Sequence, residues 1–162
     1  MKLALCALMV FVSSGQLPPK EGRIESIKDA KANFQSFTTY RWEKGYEAYD
    51  PSVHRHIVQA IDAELAARGF RKLETGAATV TIRYHTTVRN DVSLDTLDEF
   101  ERAGKVAPGR ALGRLVIVMR TPDNQRVWAA DTVQPLPETA TREGELRQIV
   151  SRMFETYPVP KK

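Results

Sequence analysis

Apolar positions along the chain follow three different spacings. Leu3 to Val12 form an unbroken apolar run near the N-terminus. Further on, Val53, Ile57, Ile61 and Leu65, joined by Ala60, recur every three to four residues, while Arg55, Gln59, Asp62 and Arg68 occupy the other side. That spacing predicts an amphipathic helix with one buried stripe. Pro51-Ser52 opens it, and Gly69 supplies the left-handed stop before Phe70 returns to the core. A second stripe of Leu146, Ile149, Val150, Met153, Phe154 and Tyr157 predicts a final helix from about Thr141 to Tyr157, which Pro158 and Pro160 prevent from continuing. Glu64 and Arg68, like Glu143 and Arg147, are four apart with the acid first. Each pair is expected to give surface support of about 0.2–0.5 kcal/mol.

Elsewhere the period is two. Ala78, Val80, Ile82 and Tyr84 alternate with Thr79, Thr81, Arg83 and His85, predicting a strand with one buried and one wetter face. Leu115 to Met119 and Val127 to Ala130 flank Thr121-Pro122-Asp123-Asn124-Gln125, so a turn joins two antiparallel neighbours. Phe37 to Trp42 is rich in aromatic and β-branched residues and reads as another strand. Arg23 to Lys28 reads as a short edge strand, followed by a turn region from Asp29 to Ser36. Between Ser93 and Gly113 the pattern weakens. Leu94, Leu97 and Phe100 suit a short helix, but the alternating charges and Pro108-Gly109 suggest a variable connector. The expected fold is α+β, a mostly antiparallel sheet of four or five strands with two main helices on one face. Strand order stays open. A parallel crossover from the Phe37–Trp42 strand to the strand after the first helix is compatible with the pattern.

The N-terminal apolar run changes the expected organisation. As a helix it rises only about 15 Å, half of the roughly 30 Å of a bilayer core. With Lys2 before it and Ser13-Ser14-Gly15 after it, it reads as a secretory signal peptide. The expected organisation is residues 1–15 as signal peptide, 16–22 as linker, 23–158 as one domain and 159–162 as a tail. The only cysteine, Cys6, lies inside the signal, so neither a disulfide nor a thiol nucleophile is expected. The formal charge of the whole chain is +4, from 24 Lys and Arg against 20 Asp and Glu. Losing Lys2 lowers it to +3. So small and mixed a charge does not suggest nucleic acid as a partner.

Several stretches resemble the DUF4136 family of bacterial envelope proteins. They are Ala32 to Trp42, Ile57 to Gly69 ending Ala-Arg-Gly-Phe, Ala78 to His85, Gly113 to Val118, Arg126 to Ala130 and Ile149 to Pro158. The resemblance spans nearly all the chain after the leader. It implies an envelope location, often through a lipid anchor, and carries no catalytic assignment. The anchor needs a cysteine after the small-residue motif, where this chain has Gln16. A soluble periplasmic protein is therefore expected, with an envelope protein or the outer-membrane periphery as partner.

Catalytic and metal chemistry find little support in the residues. His54 and His56 are about 200° apart around a helix, the wrong spacing for shared metal ligation. His85, Asp91 and Ser93 sit along one strand or its exit, and no Gly-x-Ser-x-Gly elbow accompanies them. No phosphate-cradling glycine motif is present, and no cofactor is expected. The expected function is a noncatalytic accessory or interaction domain of the cell envelope. The alternatives are a small-ligand-binding protein, signalled by a closed apolar pocket, or an unusual hydrolase, signalled by convergent carboxylates and histidines. The candidate interaction surface comprises Tyr40, Trp42, Tyr84 and Trp128, with Lys105 and Arg110 from the basic connector. Trp128 either faces the helix layer or marks an exposed recognition patch.

Overall fold

The computed structural model describes residues 22–91, 94–105, 110–135 and 142–159. The expected signal peptide at 1–15, the expected linker apart from Gly22, and the expected tail beyond Val159 lie outside the described residues. So do Ser93 and the Pro108-Gly109 break.

Among the described residues six strands form one sheet. They are β1 (Ile24–Lys28), β2 (Thr39–Trp42), β3 (Arg71–Lys72), β4 (Val80–Asp91), β5 (Arg110–Arg120) and β6 (Arg126–Pro135). The order is β1-β6-β5-β4-β2-β3. The pairs β1/β6, β6/β5 and β5/β4 are antiparallel, while β2 pairs parallel to both β4 and β3. The helices are α1 (Pro51–Ala67), α2 (Leu94–Arg102) and α3 (Arg142–Phe154), with a 3₁₀ turn at Phe34–Ser36. The parallel crossover left open by the sequence is present, since the chain leaves β2, traverses α1 and returns to the sheet beside it.

Local chemistry accounts for the limits of α1. The Asp50 side chain accepts from the Ser52 and Val53 amides, and Pro51 stands where its missing N–H costs nothing. At the other end Gly69 adopts φ +85°, and the Phe70 amide bonds back to the Leu65 carbonyl. The hairpin β5/β6 turns at Thr121–Gln125, where Asn124 takes φ +67° and Arg120 donates to its carbonyl at 2.7 Å.

Two helices cover one sheet face. The pairings Tyr84↔Ile117↔Ala130 and Ile82↔Met119↔Trp128 align the inward rows. These rows pack on Ile57, Ile61 and Leu65 of α1 and on Val150, Met153 and Phe154 of α3. The expected four or five strands become six because Arg71-Lys72 adds a parallel edge strand. Both of its residues are exposed, so they carry no apolar signal. The expected connector contains the short helix α2, and β5 begins at Arg110, well before the apolar run starting at Leu115.

One expected surface pair is buried instead. Glu64 and Arg68 lie 2.6 Å apart, and both are nearly inaccessible. The Arg68 guanidinium also donates to the Phe154 carbonyl at 2.8 Å and sits over the Phe154 ring. The C-terminal end of α3 covers the pair, which turns a helix-surface contact into a bolt between helices. Glu143 and Arg147 remain an exposed pair at 2.9 Å, as expected.

Candidate functional site

The aromatic residues proposed as an interaction surface are mostly core. Tyr40, Tyr84 and Trp128 are 2%, 1% and 0% exposed. Trp128 packs against Phe154 and Tyr157 with centroids at 5.0 and 5.5 Å, and its indole N–H donates to Thr156. The Tyr40 hydroxyl and the half-buried Trp42 indole both donate to Asp62 of α1, at 2.7 and 2.8 Å, and Lys72 adds a third donor at 3.2 Å. Their polar atoms latch α1 to β2 and β3. Burial and the Asp62 carboxylate together push the Tyr40 phenol well above its ordinary range. The sequence put Tyr84 on the buried face of its strand and left Trp128 open between the helix layer and a recognition patch; the helices α1 and α3 close over both.

Lys105 is exposed just after α2, while Arg110 opens β5 opposite Asp91. Tyr40 stands opposite Val80 at the other end of β4, on the order of 35 Å away along the strand. Arg110 and Tyr40 therefore stand at opposite ends of β4. The histidines also separate. His54 meets Tyr84 at 2.6 Å, and His56 faces Glu143 at 3.8 Å. Among the described residues no group of three or more His, Cys, Asp or Glu side chains could hold a metal ion. His85 and Asp91, six positions apart on one strand, are about 20 Å from each other.

The concave feature lies at the other end of the helices. β4 and β5 run about 36–40 Å, whereas α1 is about 25 Å long. Where the helices stop covering the strands, a groove of about 280 Å³ opens. Its floor is Thr86 and Val88 of β4, Gly113 and Leu115 of β5, and Thr132 and Gln134 of β6. Val53 and Ile57 of α1 form one wall, and Leu146 and Ile149 of α3 form the other. Gly113 stands opposite Val88 and offers no side chain to fill the space. Val88 remains 64% exposed on the helix-facing side. Past Ile149 the groove continues into a more polar hollow edged by Glu145, Gln148 and Arg152.

A strap closes the groove's remaining side. From Trp42 the chain follows the edge of β4, with the Glu43 amide bonded to the Ile82 carbonyl and the Thr86 amide to the Tyr46 carbonyl, both at 2.8 Å. The Tyr46 amide donates to His85 Nδ1 at 3.0 Å, and the Ala48 amide donates to the Tyr84 hydroxyl at 3.2 Å. Gly45 is required here, because a Cβ would stand 2.0 Å from the Tyr84 carbonyl oxygen. Ala48, Tyr49 and Asp50 then border the groove. Tyr49 is left exposed at its mouth, and Tyr46, also exposed, lies with its ring beside His85. Burial raises the Tyr84 hydroxyl above its ordinary value, against the lowering effect of the Ala48 amide. Sequence reasoning missed this strap. Its available signal was two tyrosines in the polar run Gly45 to Asp50, just ahead of a helix cap.

A family model described as "Domain of unknown function (DUF4136)" matches residues 24–159. The chain belongs to the DUF4136 family. No curated protein matches its sequence. Among solved structures, this DUF4136 chain is similar to a PDZ domain protein from Parabacteroides distasonis, with a TM-score of 0.61 at 13% identity. That match covers 86% of this chain but 36% of the Parabacteroides chain. It is also similar to PelC from Paraburkholderia phytofirmans, a dodecamer in its crystals, with a TM-score of 0.53 at 10% identity. The PelC match covers 82% of this chain and 96% of that one. A single-residue variant of PelC, also a dodecamer, gives 0.54 at 9% identity, covering 82% and 93%. At such identities the likeness is one of fold. Among the described residues of the DUF4136 chain, no helix is long and apolar enough to cross a membrane.

Proposed function

We propose that this protein is a noncatalytic binding domain of the bacterial cell envelope, acting in the periplasm after removal of residues 1–15. Its groove takes an apolar portion of an envelope partner. The observation that carries the reading is the groove itself, a concave apolar site bordered by the exposed Tyr49 and Val88. Concave, mostly apolar sites with a few polar groups are where proteins bind small or flexible apolar ligands. Exposed aromatic rims are where partners dock. The leader pattern and the family support the envelope location. A second reading, a small apolar ligand in the same groove, draws on its apolar lining by Val53, Ile57, Leu115, Leu146 and Ile149.

The test is a photo-crosslinking residue at Tyr49 in cells, followed by fractionation. We expect one reproducible envelope partner, lost when Leu146→Trp fills the groove. Cytoplasmic location of the mature chain, or crosslinks indifferent to Leu146→Trp, would overturn the partner reading. A small apolar molecule seen by native mass spectrometry, without a crosslinked protein, would replace it with the second.

A further inference from the structure

We infer that the Gly45–Tyr49 strap is a pH-gated wall of the groove, held shut by neutral His85 and released when that imidazole is protonated. The inference rests on the groove being the binding site, and it adds how occupancy is regulated.

The geometry fixes the protonation state. A backbone N–H is only a donor, so the 3.0 Å contact from the Tyr46 amide requires His85 Nδ1 to be an unprotonated acceptor. Any proton on the neutral ring must therefore be on Nε2. A second proton has one place to go, Nδ1, where it turns the acceptor into a donor facing another donor. The Tyr46 amide then loses its partner. The Tyr46 ring lies 5.4 Å from the imidazole, so one strap residue engages His85 with both its backbone and its ring.

This contact is one of a small set holding the strap. With it stand the Tyr46 carbonyl accepting from the Thr86 amide, the Ala48 amide donating to the Tyr84 hydroxyl, and Ala48 packed against the core. His54 meets the same hydroxyl through a ring nitrogen that can serve as donor or acceptor, so its contact survives in either tautomer. His85 is thus the strap contact that protonation turns from an acceptor into a donor facing another donor. With Gly45 pressed on the Tyr84 carbonyl, the strap has little room for small adjustments, which favours two arrangements over a graded one.

The surroundings set the direction. Arg83 on β4 and Arg120 on β5 both disfavour a positive His85, and the nearby carboxylate of Glu43 is held toward Arg83 at 3.8 Å. Burial, followed by these two arginines, lowers the imidazole below its ordinary 6.5. A group whose folded pKa is depressed is more protonated when its surroundings open. The closing contribution is therefore whole above 6.5 and is lost as pH falls below that value toward the folded pKa.

The test uses the full mature chain and two readouts, titrated from about pH 8 to about pH 5. Imidazole nitrogen spectra report the tautomer and titration of His85, and hydrogen exchange reports the protection factor of the Tyr46 amide. A neutral naphthylamine dye, whose own charge is constant across the range, reports the groove. We expect His85 in the Nε2–H tautomer and a Tyr46 protection factor that drops roughly tenfold across the His85 titration. Dye affinity should fall with the same midpoint. His85→Asn, whose side-chain oxygen can replace Nδ1 as an acceptor without titrating, should make both readouts flat with pH. Tyr46 protection that ignores the His85 titration, or an Nδ1–H tautomer, would overturn the switch while leaving the groove reading intact. No dye bound at any pH would overturn the groove reading and, with it, the regulatory role assigned to the strap.

Discussion

The two ends of the helix–sheet sandwich are built from the same strands and helices and are finished in opposite ways. At one end the inward rows carry Met119 and Trp128, and Phe154, Tyr157 and Phe70 close around them. Asp62 and the Arg68–Glu64 pair then tie α1 to β2 and to α3. At the other end the same rows carry Gly113, Thr132 and Gln134, and the space above them is left open as the groove. Bulk on a row produces a sealed core, and its absence produces a site. The first end is filled with buried aromatic and aliphatic bulk, and the proposed binding and strap release are assigned to the second.

Substitutions at the two ends should therefore separate stability from binding. The largest effect is expected from Trp128→Ala, which empties a fully buried site and should cost about 3–5 kcal/mol. Denaturant titration would check it, and a loss near 1 kcal/mol would mean that the closed end is not the stabilising one. Asp62→Ala comes next. It strands the Tyr40 hydroxyl and the Trp42 indole, and about 1–3 kcal/mol should be lost, with dye binding at the distant groove unchanged below the new transition. Gly45→Ala should reverse the pattern. The strap must lift from Tyr84, global stability should fall by only about 1 kcal/mol, and dye affinity should drop severalfold. If Gly45→Ala instead unfolds the protein, the strap belongs to the core and the contrast between the ends fails.

The elements with long periodic stretches were legible in the sequence. The α1 stripe, its Pro51 start and its Gly69 stop all stand where the spacing placed them, because seventeen residues of one period leave no competing pattern. The edge position of β1 and the hairpin β5/β6 were legible for similar reasons of pattern and turn chemistry. β3 was not. Two exposed charged residues become a strand only because the chain leaving α1 falls beside β2. Glu64 and Arg68 carry the spacing of a surface pair, and only the arrival of Phe154 buries them. The aromatic candidates were chosen as residue types that bind partners, the same types that fill small cores. Their burial depends on which helix covers them.

By itself the sequence determined the class of fold, the two buried helical stripes and the alternating strands. These follow from interactions between residues a few positions apart, which periodicity and turn chemistry encode directly. Tertiary structure alone decided the strand order, the buried ion pair, the groove and the strap. The groove exists because Gly113 faces Val88 where the helices no longer cover the sheet, and the strap because Tyr46 meets His85 across 39 positions of chain. Volume left unfilled between distant residues, and hydrogen bonds made across such separations, leave no period in the sequence that makes them.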